Sequence, residues 1–518
     1  MKRVFLLAAA SLGALAPAAA QAPVVDSIAI ITEDIFADNE AGNILFSLAN
    51  ALHIKTRTIV VRRELLFQTG APYDSTAVAE TARNLRRLGI FRLVSIDSVR
   101  VDGRLVVRVQ TADGWSTSLD IGAGSTGDQF TWNVGLFENN LLGTATRGGG
   151  SYRQETDRTA WRVAGTVRRL GTSRIAIDGF YDDLSDGYRW FGWTGVPFRA
   201  LQDPGALIVE TDGSDRRIPT YREGLRAETF QERAAGLRLT AGMPVQRHGS
   251  GYVRVGLAAM VRRHALGFHA DTLLPPPVTE DSVIGAVGPW IEWLSTRYQV
   301  VRHFNGFGRP EDLDLSTGVT LGLWVAPAQF GYVRGGLGPA LRARTALPLG
   351  PHFVRFAAEA HGLWTSDGLD SATVIGRFTL GVRPAERHST VLHVQAGAEQ
   401  RPVPSLEFDL GSRRGPRAFQ AHSFTGDRMF WGTLEHRWFI ADNLGRLLGV
   451  GLAAFADFGG AWFDGDTPRT GGDVGLGLRL GPSRASGLNV GRFDLAWRWG
   501  DGVGSNHWVF SFGRAFVF

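Results

Sequence analysis

The sequence predicts a mainly β chain: a transmembrane antiparallel β-barrel of about 16 strands preceded by one small α/β domain. Three observations carry that prediction. From Trp115 onward, segments of roughly ten residues alternate apolar and polar positions and are punctuated by Gly, Asp, Asn and Pro. No segment reaches the roughly 20 apolar residues of a membrane-spanning helix, so a membrane-embedded form has to be a closed barrel. The 518 residues include 66 Gly and 15 Trp at a mean hydropathy of −0.05, which suits strands that are apolar on one face only.

The chain opens with an export signal. Lys2 and Arg3 precede an apolar run from Val4 to Leu15, and Ala18-Ala19-Ala20 supplies small residues for cleavage, so residues 1–20 read as a secretory signal peptide. Cleavage after Ala22 would place Pro23 next to the scissile bond, which favours Ala20. Cysteine is absent, excluding disulfides and thiolate metal sites. The formal charge of +5 falls to +3 once Lys2 and Arg3 leave, and the arginines are scattered, so nucleic acid is not expected as a partner.

Residues 21–113 form the small domain. Asp26 to Ile30 reads as a strand, and Thr58 is placed to cap a helix running through Leu65 and Leu66 to Gly70. A second helix starts at Asp74 or Ser75, lines up Val78, Ala82, Leu85 and Leu88 on one face, and stops at Gly89. Strands from Phe91 to Asp97 and from Arg104 to Gln110 follow, joined by an Asp102-Gly103 turn. The order is β-α-α-β-β.

Residues 114–518 form the barrel. Phe493, Leu495, Trp497 and Trp499 alternate with Asp494, Ala496 and Arg498, as lipid on one side and water on the other require. The same contrast separates Val474, Leu476, Leu478 and Leu480 from Gly475, Gly477 and Arg479. Some 400 residues at about 25 per strand and connection give the count of about 16, with Leu184 to Arg233 readable either as strands or as long excursions. In the closing segment, Trp508, Phe510, Phe512, Phe516 and Phe518 are expected to share the lipid face. Ser511, Gly513, Phe516 and Phe518 have the spacing of a C-terminal barrel-assembly signal.

The front domain, with Asn50-Ala51-Leu52-His53, Glu64 to Phe67, Gly70 and Arg83 to Phe91, resembles a POTRA domain of the BamA/TamA-type outer-membrane protein assembly superfamily. Three barrel segments are similar to the same superfamily: Gly411 to Phe419 with Phe424 to Arg428, Phe455 to Trp462, and the pair Gly475 to Arg479 and Arg492 to Ala496. The resemblance implies a loop folded back into the lumen, with Gly415, Ala418 and Phe419 at its tip and Arg417 pairing with Glu435 and Asp457. The parity of both acids places them on the lumen face. Ala418 stands where the family has glycine, which matters if the site needs a positive φ.

No catalytic constellation, nucleotide-binding loop or metal-ligand spacing is present in the sequence, and no cofactor is expected. The resemblance implies a non-enzymatic protein of the bacterial outer membrane, its N-terminal domain in the periplasm, that assists insertion or translocation of other proteins. Its expected partners are outer-membrane lipids, extended client polypeptides and periplasmic accessory proteins. A single POTRA-like module points to a specialised member. The alternative is a passive channel or structural barrel that handles no client.

Overall fold

The computed structural model describes residues 23–36, 44, 51, 53–126, 129–268, 281–402, 406–411, 414–483 and 490–517. The leader, Asn50, Leu52, Ser412, Arg413 and Phe518 lie outside the described residues.

The small domain comprises β1 (Ser27–Glu33), α1 (Thr58–Arg62), α2 (Ser75–Arg87), β2 (Phe91–Val101) and β3 (Arg104–Asp113). Its sheet runs β1-β3-β2, with β1 parallel and β2 antiparallel to β3, so among the described residues β1 and β2 each keep one outer edge. The first helix is shorter than the sequence suggests: it ends at Arg62, and its N-cap is Arg57, with no side-chain cap from Thr58. One apolar turn, Val60 and Val61, suffices to reach the core, and the chain then leaves the helix. Asp74 caps α2 by accepting from the Thr76 and Ala77 amides. Val78, Leu85 and Leu88 pack on Val107, Val109 and Phe91. Asp102 and Gly103 both stand at positive φ, the type I′ pattern that joins β2 to β3.

Among the described residues, twenty antiparallel strands close the barrel, from Thr117–Thr126 to Trp508–Arg514, and these two ends of the sheet are neighbours. The expected count of about 16 is corrected because the connections are tighter than assumed, at about 20 residues per strand rather than about 25. Two-residue turns join Ala176–Leu184 to Gly187–Val196, Ala206–Arg222 to Leu225–His248, and His352–Thr365 to Gly368–Ala385. The ambiguous stretch after Leu184 is strand almost throughout.

Outward positions are large and apolar. Leu119, Ile121, Trp161, Val163, Leu257, Val261, Leu476, Leu495 and Phe510 are all exposed, a belt that water would not tolerate and lipid requires. No described helix is long and apolar enough to cross a membrane.

The closing segment departs from its expected pattern. Trp508 and Phe510 point outward, but the strand ends at Arg514 and the chain then turns into the lumen. Phe516 therefore leaves the lipid face: its ring lies 5.7 Å from that of Trp431, and the Arg417 guanidinium carbon sits 4.9 Å from its centroid. A buried cation over the ring and a neighbouring indole offset the apolar burial it would have had in lipid.

Candidate functional site: the lumen clamp and the closed ends

The connection between His388–Gln400 and Arg428–Leu444 folds into the lumen around a small hairpin, Phe408–Leu410 with Phe424–Gly426. Gly415 stands at φ +124° and Pro416 follows, which aims Arg417 at the wall. Arg417 is fully buried. Its Nε and Nη2 donate to the two oxygens of Asp457 at 2.6 and 3.0 Å, its Nη1 to Glu435 at 2.7 Å, and its Nη2 to the Thr433 hydroxyl at 3.1 Å. The guanidinium also sits 3.9 Å from the Phe455 centroid and 4.9 Å from that of Phe516. A planar fork with several donors fits this arrangement, and an ammonium would not.

The three residues expected to meet therefore lie together, inside a larger network. Asp494 is 3.7 Å from Arg417 and accepts from Arg479 and Arg492 at 2.6 and 2.7 Å. Arg437 donates to Glu435 at 2.7 Å, and Asp473 accepts from the Ala418 amide at 3.0 Å. Four guanidiniums (Arg417, Arg437, Arg479 and Arg492) thus share a buried space with four acids (Glu435, Asp457, Asp473 and Asp494). Alternation alone marks each as inward. Register aligns Thr433, Asp457 and Asp473 across three strands, and Arg437, Arg479, Arg492 and Asp494 reach the same space from neighbouring rows. Ala418 is not among the described residues at positive φ, so alanine meets no backbone penalty there. Phe419 packs on Phe424 and over Gly471.

Both ends of the lumen are covered. At the end that carries the small domain, the connection between Ser282–Ser295 and Thr317–Ala326 forms a hairpin, Tyr298–Val301 with Glu311–Asp314, whose tip rises into the barrel. Phe304 packs on Phe353 and Val391, while Phe307 meets Phe439 and lies over Gly449, where any Cβ would collide with its ring. The domain docks on the same mouth: Glu64 pairs with Arg169 at 2.7 Å, Glu80 accepts from the Leu201 amide at 3.0 Å, and Arg63 donates to the Thr144 carbonyl at 2.9 Å.

At the far end, the turn after Ala206–Arg222 leans across the mouth. Arg222 lies 3.1 Å from the Phe463 centroid, Glu223 pairs with Arg469 at 3.2 Å, and Tyr221 stacks on His422 at 3.7 Å. His422, on the inward loop, bonds Asp409 at 2.7 Å and Asp157 at 3.1 Å. Burial by itself lowers its pKa, but hydrogen bonds and charge from Asp157 and Asp409 outweigh burial and push it up to about 9. Burial raises Glu407, which accepts from the Tyr221 amide, to about 7.

Both groups hold protons more tightly in the closed cap than when released, so closure weakens as pH rises. The His422 contribution is complete below its ordinary value of 6.5 and is lost through about 9; Glu407 adds a penalty between 4.5 and about 7. Tryptic cleavage at the 222–226 turn is therefore expected to accelerate from pH 5 to pH 9. His422→Gln should flatten the upper part of that profile. A cleavage rate that does not change with pH once trypsin's own pH dependence is divided out would refute the cap assignment.

No family model matches the chain. Two curated relatives match part of it, both named outer membrane protein assembly factor BamA. That of Neorickettsia risticii is 33% identical over 95 residues, 18% of this chain and 13% of the relative. That of Neisseria meningitidis is 31% identical over 179 residues, 33% of this chain and 21% of the relative. Over those segments the chain is similar to BamA. These matches span about a fifth or less of the BamA proteins' own length. Among solved structures, CdiB from Escherichia coli is 12% identical with a TM-score of 0.49, covering 98% of this chain and 92% of that one. The chain is an outer-membrane β-barrel with an N-terminal POTRA-like domain, which by analogy with these relatives lies in the periplasm.

Proposed function

We propose that this barrel assists the insertion of other proteins into the outer membrane, receiving the client on its POTRA-like domain and delivering it at the seam between the first and last strands. The observation that carries this reading is the seam itself. The last strand, Trp508–Arg514, has seven residues, so it can pair with Thr117–Thr126 over no more than that length. Beside it lies a cavity of about 440 Å³ bordered by Gly122, Gly124, Asn133, Phe512, Gly513 and Phe516. A short seam next to a cavity is the easiest place in a closed sheet for an added strand to enter. The free outer edges of β1 and β2 suit an extended client, whose main chain could extend the sheet. No covalent chemistry is needed, because burial of the client's apolar strands in lipid drives insertion.

A passive channel fits less well. Both mouths are covered, by the Phe304 and Phe307 tip on one side and the Arg222 turn on the other.

The chain lacks cysteine, so a seam lock can be built cleanly. Asp120 and Arg514 are ion-paired across the seam. Joining Asp120→Cys to Arg514→Cys with a short bifunctional thiol reagent is expected to cut folding of an outer-membrane client into reconstituted vesicles by about tenfold or more, the scale of one transition-state contact. A cleavable reagent should restore it. Undiminished insertion by the locked barrel would remove the seam from the mechanism.

A further inference from the structure

Three segments enter the lumen from different parts of the chain, and one side chain bonds two of them directly and the third through a shared carboxylate. The periplasmic hairpin tip brings Phe304, the inward loop brings Arg417, and the end of the last strand brings Phe516. Arg437, almost fully buried on Arg428–Leu444, donates from Nη1 to the Phe304 carbonyl at 3.0 Å and from Nη2 to the Phe516 carbonyl at 2.8 Å. Its Nε donates to Glu435 at 2.7 Å, the same carboxylate that holds Arg417 at 2.7 Å.

The hairpin is tied in turn to the POTRA-like domain. Arg86 of α2 forms a two-point bond with Asp312, at 2.6 Å for each oxygen, and Arg309 donates to the Phe91 carbonyl at 2.9 Å. Tyr298 lies under Arg83 and takes a hydrogen bond from Arg87 at 2.9 Å. Charged hydrogen bonds therefore tie α2 to the base of the hairpin, the paired hairpin backbone carries the link to its tip, and Arg437 ties the tip to the end of the last strand.

We propose that Arg437 is a positioning residue that couples the POTRA-like domain to the seam: a displaced domain moves the periplasmic hairpin, and the hairpin, through Arg437, loosens the last strand and the inward loop together. This deepens the seam reading, but it concerns the free protein and is measured without any client. Each of the three partners of Arg437 is a strong acceptor in a dry setting, so a shift at one carbonyl is felt at the others. A lysine at this position has the charge but cannot hold three acceptors in one plane.

The test is hydrogen–deuterium exchange of the full chain in lipid nanodiscs. Arg86→Glu breaks the two-point bond at the domain surface, away from the barrel interior. It is expected to raise exchange in 508–514 by about tenfold, the factor given by one charge-assisted hydrogen bond. The charge swap Arg86→Glu with Asp312→Arg should return it to baseline. Arg437→Lys should raise exchange together in 302–309, 415–419 and 508–517, and adding Arg86→Glu should then change 508–514 no further.

Unchanged exchange in 508–514 for Arg86→Glu overturns the proposal, as does a double variant whose effects simply multiply. If Arg437→Lys fails to assemble, Arg86→Glu and its charge swap decide alone. A domain that uncouples from the last strand while the crosslinked seam still blocks insertion would refute the coupling and leave the seam reading standing.

Discussion

Replacing Arg417 by alanine is expected to release the inward loop. The side chain is fully buried and bonds Asp457, Glu435 and Thr433, so its removal leaves Glu435, Asp457, Asp473 and Asp494 facing Arg437, Arg479 and Arg492. Breaking a buried ion pair by deleting one partner costs about 3–5 kcal/mol, because the survivor stays buried without its counter-charge. The anchors that remain are Phe419 over Gly471, the Ala418 amide on Asp473, Arg498 on the Ala418 carbonyl, and His422 on Tyr221 and Asp157, and none of them replaces the buried charge of Arg417 at the tip. Arg417→Lys is expected to fare little better, because an ammonium cannot engage both Asp457 oxygens and Glu435 while keeping its contacts with the Phe455 and Phe516 rings. The measurements are protease sensitivity of residues 411–427 and the unfolding midpoint in detergent. A protected loop in the alanine variant would mean that the clamp contributes nothing to anchoring.

How much of this was legible in the sequence depended on which physical rule wrote the signal. The lipid belt follows from period-two alternation, and so do the inward settings of Asp457, Glu435 and Asp494, because a strand offers only two faces. Height along the barrel is not written in alternation. Register sets it: register aligned Asp473 with Asp457, and Asp494, Arg479 and Arg492 joined the clamp by side-chain reach from neighbouring rows. The signal that could have found them was the run of charged residues on lumen faces of consecutive strands near the C-terminus. The count of twenty strands was obscured because tight turns such as Glu223-Gly224 are no richer in breakers than the strands beside them. Phe516 was misplaced for a different reason. Its parity suits lipid, and only the proximity of Arg417, Trp431 and Arg437, from distant sequence, turns the chain end inward. Arg437 carried a visible charge and a visible face, but neither reveals that it reaches two carbonyls from other segments.

Opening one end of the barrel should not make it a pore. The Phe304 and Phe307 tip at one mouth and the Arg222 turn at the other, the latter resting on the inward loop through His422, are obstructions in series, so the more resistant one sets the current. One buried Phe→Ala costs about 3–5 kcal/mol, enough to shift a closed tip toward open by about a hundredfold or more. Phe304→Ala with Phe307→Ala should therefore free the periplasmic mouth, yet single-channel conductance in a planar bilayer is expected to stay near the parent level. Tyr221→Ala with Arg222→Ala removes the stack on His422 and the contact with Phe463, and by itself should also leave conductance low. All four substitutions together should give large, long-lived openings, a strongly non-additive outcome of the kind coupled sites produce. Raising pH toward 9 should imitate the outer pair, because His422 loses its proton there, so the periplasmic variant alone should begin to conduct in alkali. A periplasmic variant that conducts fully at pH 6 would show that the far turn does not seal. The seam would then no longer be favoured over the lumen as the route of delivery.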